Sequence, residues 1–112
     1  MSNNLVKSGI PELFLEQLLR FCSSNSRIKK VILFGSRARG DFCPSSDIDL
    51  AVQTNNATHS EQNLIEDSIQ EMPTHLRMDI VFLNRLSKEG LLANIKQEGI
   101  IIYEQGKTLR EA

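Results

Sequence analysis

Asp47 and Asp49 alternate with Ile48, Leu50 and Val52, and that arrangement constrains the chain more than any other feature in it. Alternation at a period of two is the mark of a β-strand. Ile48, Leu50 and Val52 leave one face, and Asp47, Asp49 and Ala51 leave the other. Aspartate is depleted in strands, and a carboxylate beside apolar neighbours loses solvation. Two like charges this close also oppose each other's ionisation. A divalent cation is the simplest physical reason to build such a pair, and hard oxygen ligands select Mg²⁺ or Mn²⁺.

Upstream, Val31-Ile32-Leu33-Phe34 is a short continuous apolar run that ends in Gly35-Ser36. The run predicts a buried strand, and Ser36 to Gly40 predicts a short helix after it. A strand that turns into a helix through Gly-Ser presents free backbone N–H groups, which with the helix dipole bind phosphate. Glycine permits close approach. The Ser36 hydroxyl adds a donor, and Arg37 and Arg39 can supply positive charge. Asp79 lies in a third predicted strand, Met78 to Leu83. If that strand pairs beside the second, three carboxylates cluster. Three acidic groups around one or two metals suit phosphoryl transfer, with Asp79 placed to help deprotonate an attacking hydroxyl.

The remaining chain supplies a frame. Leu13, Phe14, Leu15, Leu18, Leu19 and Cys22 recur at helical spacing behind Pro11, which predicts an amphipathic helix ending in Ser23 to Ser26. Asp41 to Ser46, with Pro44, reads as a loop. Leu64, Ile65, Ile69 and Met72 mark a helix from about Ser60 to Met72, stopped by Pro73. Ser87 is the expected cap of a last helix with Leu91, Leu92 and Ile95 on its inner face. Ile100 to Tyr103 predicts a final strand. The expected fold is α/β (α+β), with a single small mixed β-sheet flanked by helices. Residues 1–9 read as a flexible leader, 10–104 as one domain and 105–112 as a polar tail.

Composition narrows the function. A chain of 112 residues is one ordinary domain, and a formal net charge of -1 argues against direct nucleic-acid binding. Cys22 and Cys43 are unpatterned and read as free thiols in a reducing cytoplasm. No signal peptide and no apolar run of membrane-spanning length is present, so a cytoplasmic protein without a membrane contact is expected. His59, His75 and the Lys29-Lys30 pair read as surface, and Tyr103 as core or rim. An ordinary alternative for Asp79 is a strand-end residue paired with Arg77 or Arg85.

Gly35-Ser36, ten intervening residues, then Asp47-Ile48-Asp49 resembles the signature of the DNA-polymerase-β-like nucleotidyltransferase superfamily. Phe34-Gly-Ser-Arg-Ala-Arg-Gly-Asp41 with Ser46-Asp-Ile-Asp-Leu50 resembles its minimal nucleotidyltransferase (MNT) family. Arg77-Met-Asp79-Ile-Val-Phe82 is similar to that family's third-carboxylate strand. The likeness runs from about Ile10 to Glu104. It implies the polymerase-β-like fold and transfer of AMP from ATP with Mg²⁺ (or Mn²⁺). Asp47, Asp49 and Asp79 would be the catalytic and metal-binding residues, and Gly35, Ser36, Arg37 and Arg39 would hold the nucleotide. It also resembles MNT antitoxins, which adenylylate a tyrosine of an HEPN ribonuclease toxin, so an HEPN partner is expected and a homo-oligomer is open. Two other readings remain at this stage. One is an interaction module that neutralises a toxin by stoichiometric complex. The other is a small-molecule transferase of the aminoglycoside type.

Overall fold

The computed structural model describes residues 8–106. Its elements run α1 (Glu12–Ser23), β1 (Ile28–Phe34), α2 (Ser36–Arg39), β2 (Ile48–Thr54), α3 (His59–Gln70), β3 (Met78–Phe82), a 3-10 turn (Leu83–Arg85), α4 (Glu89–Glu98) and β4 (Ile100–Glu104). The strands form one mixed sheet in the order β3-β2-β1-β4. β1 is antiparallel to β2 and β4, and β2 is parallel to β3. The expected single small mixed sheet with flanking helices is what the chain forms.

The sheet separates two unequal cores. On one face Phe14, Leu15, Leu18 and Cys22 of α1 and Ile65 and Ile69 of α3 pack on Val31, Leu33, Leu50 and Val52. On the other, Ile95 of α4 packs on Ile32 and Ala51, with Phe34, Val81, Leu83 and Leu91 around them. β2 is therefore buried on both sides along its middle. The face that carries Asp49 continues as Ala51, which is fully buried, so the carboxylate face turns apolar one step along the strand.

Several expectations shift by a residue or a face. Pro11 occupies the N-cap of α1 and offers no side-chain cap. Leu13 is 55% exposed and Leu64 66% exposed; neither belongs to the inner face that its spacing suggested. Gln62 is buried in place of Leu64, because its amide donates to Thr54 Oγ1 and its carbonyl accepts from Arg85 Nε. α3 begins at His59 behind a Thr58–Glu61 capping box, which fixes its start before Ser60. It ends at Gln70, ahead of Pro73. α4 begins at Glu89, so its cap position falls on Lys88 and Ser87 does not cap it. The predicted leader lies outside the described residues as far as residue 7. Ser8 is buried, contrary to a loose leader. Of the predicted tail, residues 107–112 lie outside the described residues, while Gln105 bonds back to Lys29 and Ser26. No described helix is long and apolar enough to cross a membrane.

Candidate active site

The parallel register of β2 and β3 sets Asp49 directly beside Asp79, so both side chains leave the same face of the sheet. Asp47 precedes β2 by one residue and is exposed. On the other side of β2, Asp49 pairs with Phe34, the residue before Gly35. Three chain segments distant in sequence thus meet at one end of the sheet.

Gly35 explains why the turn and the carboxylate must go together. Its φ of 76 and ψ of -157 lie in a region essentially reserved for glycine. A Cβ built there would also run into the Asp49 carboxylate. Any other residue at 35 would push Asp49 out of place.

Electrostatics report the same cluster. Burial pushes the Asp49 carboxyl up from its ordinary value, and the negative charges of Asp79 and Asp47 push the same way; Arg39 opposes them. A bound cation would favour the ionised form, so the donors fit a hard divalent ion in chemistry and charge. They do not form a closed cage. Among the described residues no three His, Cys, Asp or Glu side chains stand close enough to enclose a metal unaided. Among the described residues Asp79 forms no ion pair with Arg77 or Arg85; Arg85 instead bonds Gln62, the His59 carbonyl and Asn63 and stacks on Phe82.

The two arginines of the turn part company. Arg39 is exposed; its Nε lies 3.2 Å from Asp41 Oδ2 and 3.8 Å from Glu98 Oε2 at the end of α4. Its charge lowers the Asp49 carboxyl against the upward push of burial and of Asp79 and Asp47. Arg37 does not come to the cleft. It is 2% exposed, and its guanidinium donates to the carbonyls of Ser8, Pro44 and Ser46. The reading of Arg37 as a phosphate ligand is corrected accordingly, because its charge is turned inward. α2 is a single turn of four residues, too short for much dipole. A phosphate at this turn would meet individual N–H groups at the helix start and the half-buried Ser36.

Sequence reasoning missed Phe42, whose ring lies under Arg37 at 4.6 Å, and Glu98, which reaches Arg39 across the fold. Neither carries a local signal, since each acquires its role only from tertiary placement. His59 and His75 are exposed as expected, Tyr103 is half-buried against the larger core, and Lys30 pairs with Glu104 at 3.8 Å.

A profile of the family described as "Polymerase beta, Nucleotidyltransferase" matches residues 16–108. The chain belongs to that nucleotidyltransferase family. The chain is 65% identical over 26 residues to a Methanocaldococcus jannaschii protein described as a candidate protein adenylyltransferase. The match covers 23% of this chain and 26% of that protein, so the chain matches about a quarter of the length of that relative. Among solved structures, a candidate nucleotidyltransferase from Sulfolobus solfataricus has a TM-score of 0.59 at 20% identity, covering 98% of this chain and 97% of that one. A chain from the complex of a tri-AMPylated Shewanella oneidensis HEPN toxin with its MNT antitoxin has a TM-score of 0.56 at 17% identity, covering 90% and 72%. At these identities the structures establish a shared fold.

Proposed function

We propose that this nucleotidyltransferase moves AMP from ATP to an acceptor hydroxyl on a partner protein, a tyrosine of a cognate HEPN toxin, with Mg²⁺ or Mn²⁺ as cofactor. The observation that carries the reading is Asp49, seated against the Gly35 turn on one side and beside Asp79 on the other. The relatives support the acceptor class: one is described as a candidate protein adenylyltransferase, and another is an antitoxin beside an AMPylated toxin.

In this reading the Gly35-Ser36 turn holds the triphosphate through backbone N–H groups and the Ser36 hydroxyl. Arg39, exposed at the end of the same turn, would add positive charge for the phosphates. Asp47, Asp49 and Asp79 would hold the cation, which when bound would offset charge on the phosphate oxygens. Asp79, exposed on the sheet's edge strand, accepts the proton of the incoming hydroxyl. The acceptor oxygen bonds to the α-phosphorus, the bond to the β-phosphate oxygen breaks, and pyrophosphate leaves. Glycine at 35 keeps Asp49 close enough to the phosphate turn for metal and nucleotide to share one site.

The test is intact mass spectrometry of the HEPN partner after incubation with this protein, ATP and Mg²⁺. A gain of one or more AMP masses, absent with Asp47→Asn or Asp49→Asn, is the expected result. A stable complex with no gain in mass would replace the transferase by a stoichiometric binding module.

A further inference from the structure

A buried guanidinium is costly, and Arg37 is paired with no carboxylate among the described residues. Its charge is met by carbonyl dipoles and a ring instead. Nη1 donates to the Ser8 carbonyl at 2.9 Å, Nη2 to Pro44 at 3.2 Å, and Nε and Nη2 both to Ser46 at 3.1 Å. Phe42 stacks against it from within the same loop. That loop runs from α2 to β2, and Ser46 is the residue before Asp47. The planar fork reads the backbone at both ends of a short stretch, which an ammonium could not do.

A second segment closes on the same guanidinium. Ser8 is 1% exposed. Gly9 has a φ of +70, and a Cβ there would lie 2.9 Å from Phe42 Cε2 and 3.0 Å from Arg37 Nη1. The chain ahead of α1 is therefore fitted onto Arg37 and Phe42 with no room for a side chain.

We propose that Arg37 is a positioning residue for the cation site: with Phe42 and the Ser8-Gly9 backbone it clamps the 41–46 loop and so sets Asp47 against Asp49. This rests on the reading of Asp47 and Asp49 as cation ligands. Arg37 acts through the Ser46 carbonyl and touches neither nucleotide nor cation. Partners that orient a ligand in this way govern metal affinity by roughly 10–100-fold.

The test is Mn²⁺ binding by electron paramagnetic resonance, without nucleotide, on the wild type, Arg37→Met and Gly9→Ala. The two variants attack the clamp from opposite sides. Each should bind Mn²⁺ roughly tenfold or more weakly. In AMP transfer each should lower kcat and raise the Mn²⁺ requirement, with KM for ATP unchanged at saturating Mn²⁺. If Arg37→Met does not fold, Gly9→Ala alone decides. Wild-type Mn²⁺ affinity in the folded variants overturns the clamp and leaves the cation site standing. A rise in KM for ATP alone overturns it in favour of a phosphate ligand. A wild type that binds no Mn²⁺ removes the cation reading and the clamp together.

Discussion

Gly35 and Asp49 illustrate how one backbone conformation and one carboxylate depend on each other. Gly35→Ala places a Cβ in a glycine-only region and against the Asp49 side chain. It should cost about 1–3 kcal/mol, read as a lower urea midpoint, and AMP transfer should fall further than stability accounts for. Unchanged transfer would mean that the turn does not set the site. Asp49 makes the opposite prediction about stability. Its folded carboxyl titrates above the ordinary value of 3.8, so the folded state holds its proton more tightly than the unfolded chain. Stability therefore falls as pH rises through the raised value, and the full penalty is present at pH 7. Asp49→Asn should melt higher than the wild type at pH 7 in chelator, with the gain gone below about pH 3.8. Saturating Mn²⁺ should reverse the order, since a ligand at a hundredfold over its Kd adds about 2.7 kcal/mol to the form that binds it. A variant less stable than wild type in chelator at pH 7 would refute the burial argument.

At the scale of elements, α3 shows what a cap and a buried amide do together. Thr58 Oγ1 accepts from the Glu61 N–H at 3.1 Å, and Glu61 Oε1 accepts from the Thr58 N–H at 2.8 Å. The backbone bond from Thr58, helped by Arg27, holds the Glu61 carboxyl below its ordinary value of 4.5. Its stabilising effect is therefore present above about pH 4.5 and lost as pH falls through the depressed folded value. Thr58→Ala should cost about 1 kcal/mol at neutral pH, and the gap between wild type and Glu61→Gln should narrow in acid, because only the carboxylate titrates. A denaturation series across pH checks both, and a gap that widens in acid would contradict the cap. One turn on, Gln62 links α3 to Thr54 at the end of β2 and to Arg85 in the 3-10 turn. The helix is thereby tied to the strand that carries Asp49 at the strand's other end.

For the whole molecule, the unequal cores decide where chemistry can occur. The α1–α3 face is closed by large buried side chains, whereas among the described residues the α4 face has only Ile32, Ala51 and Ile95 buried in its cluster. That thin cover leaves Asp49 half-buried and Asp79 exposed: dry enough to raise a carboxyl, open enough for a ligand. The thick face should behave as one cooperative unit. Cys22 lies inside it with no exposure, and burial pushes its thiol up to about 12, while Cys43 is exposed. A thiol reagent should therefore modify Cys43 quickly. Cys22 should react only with global unfolding, at a rate that tracks urea like the overall transition. Rapid labelling of both thiols in the native protein would contradict a closed core.

Much of this protein is written locally. The strand at 48–52, the Gly35-Ser36 turn and the helical stripes follow from periodicity and backbone sterics, which act between near neighbours and so survive without the fold. Adjacency does not. Nothing near Asp79 in sequence says that β3 lies parallel to β2 with Asp79 beside Asp49; only strand order settles that. Leu13 and Leu64 have the right spacing for a core and miss it, because burial depends on what stands opposite. Gln62 is inside for the converse reason, since Thr54 and Arg85 wait there to bond it. Arg37 and Arg39 are near-identical in local sequence. Tertiary structure turns one inward onto three carbonyls and leaves the other at the site, because a guanidinium goes where its five donors are satisfied, and those acceptors lie elsewhere in the chain.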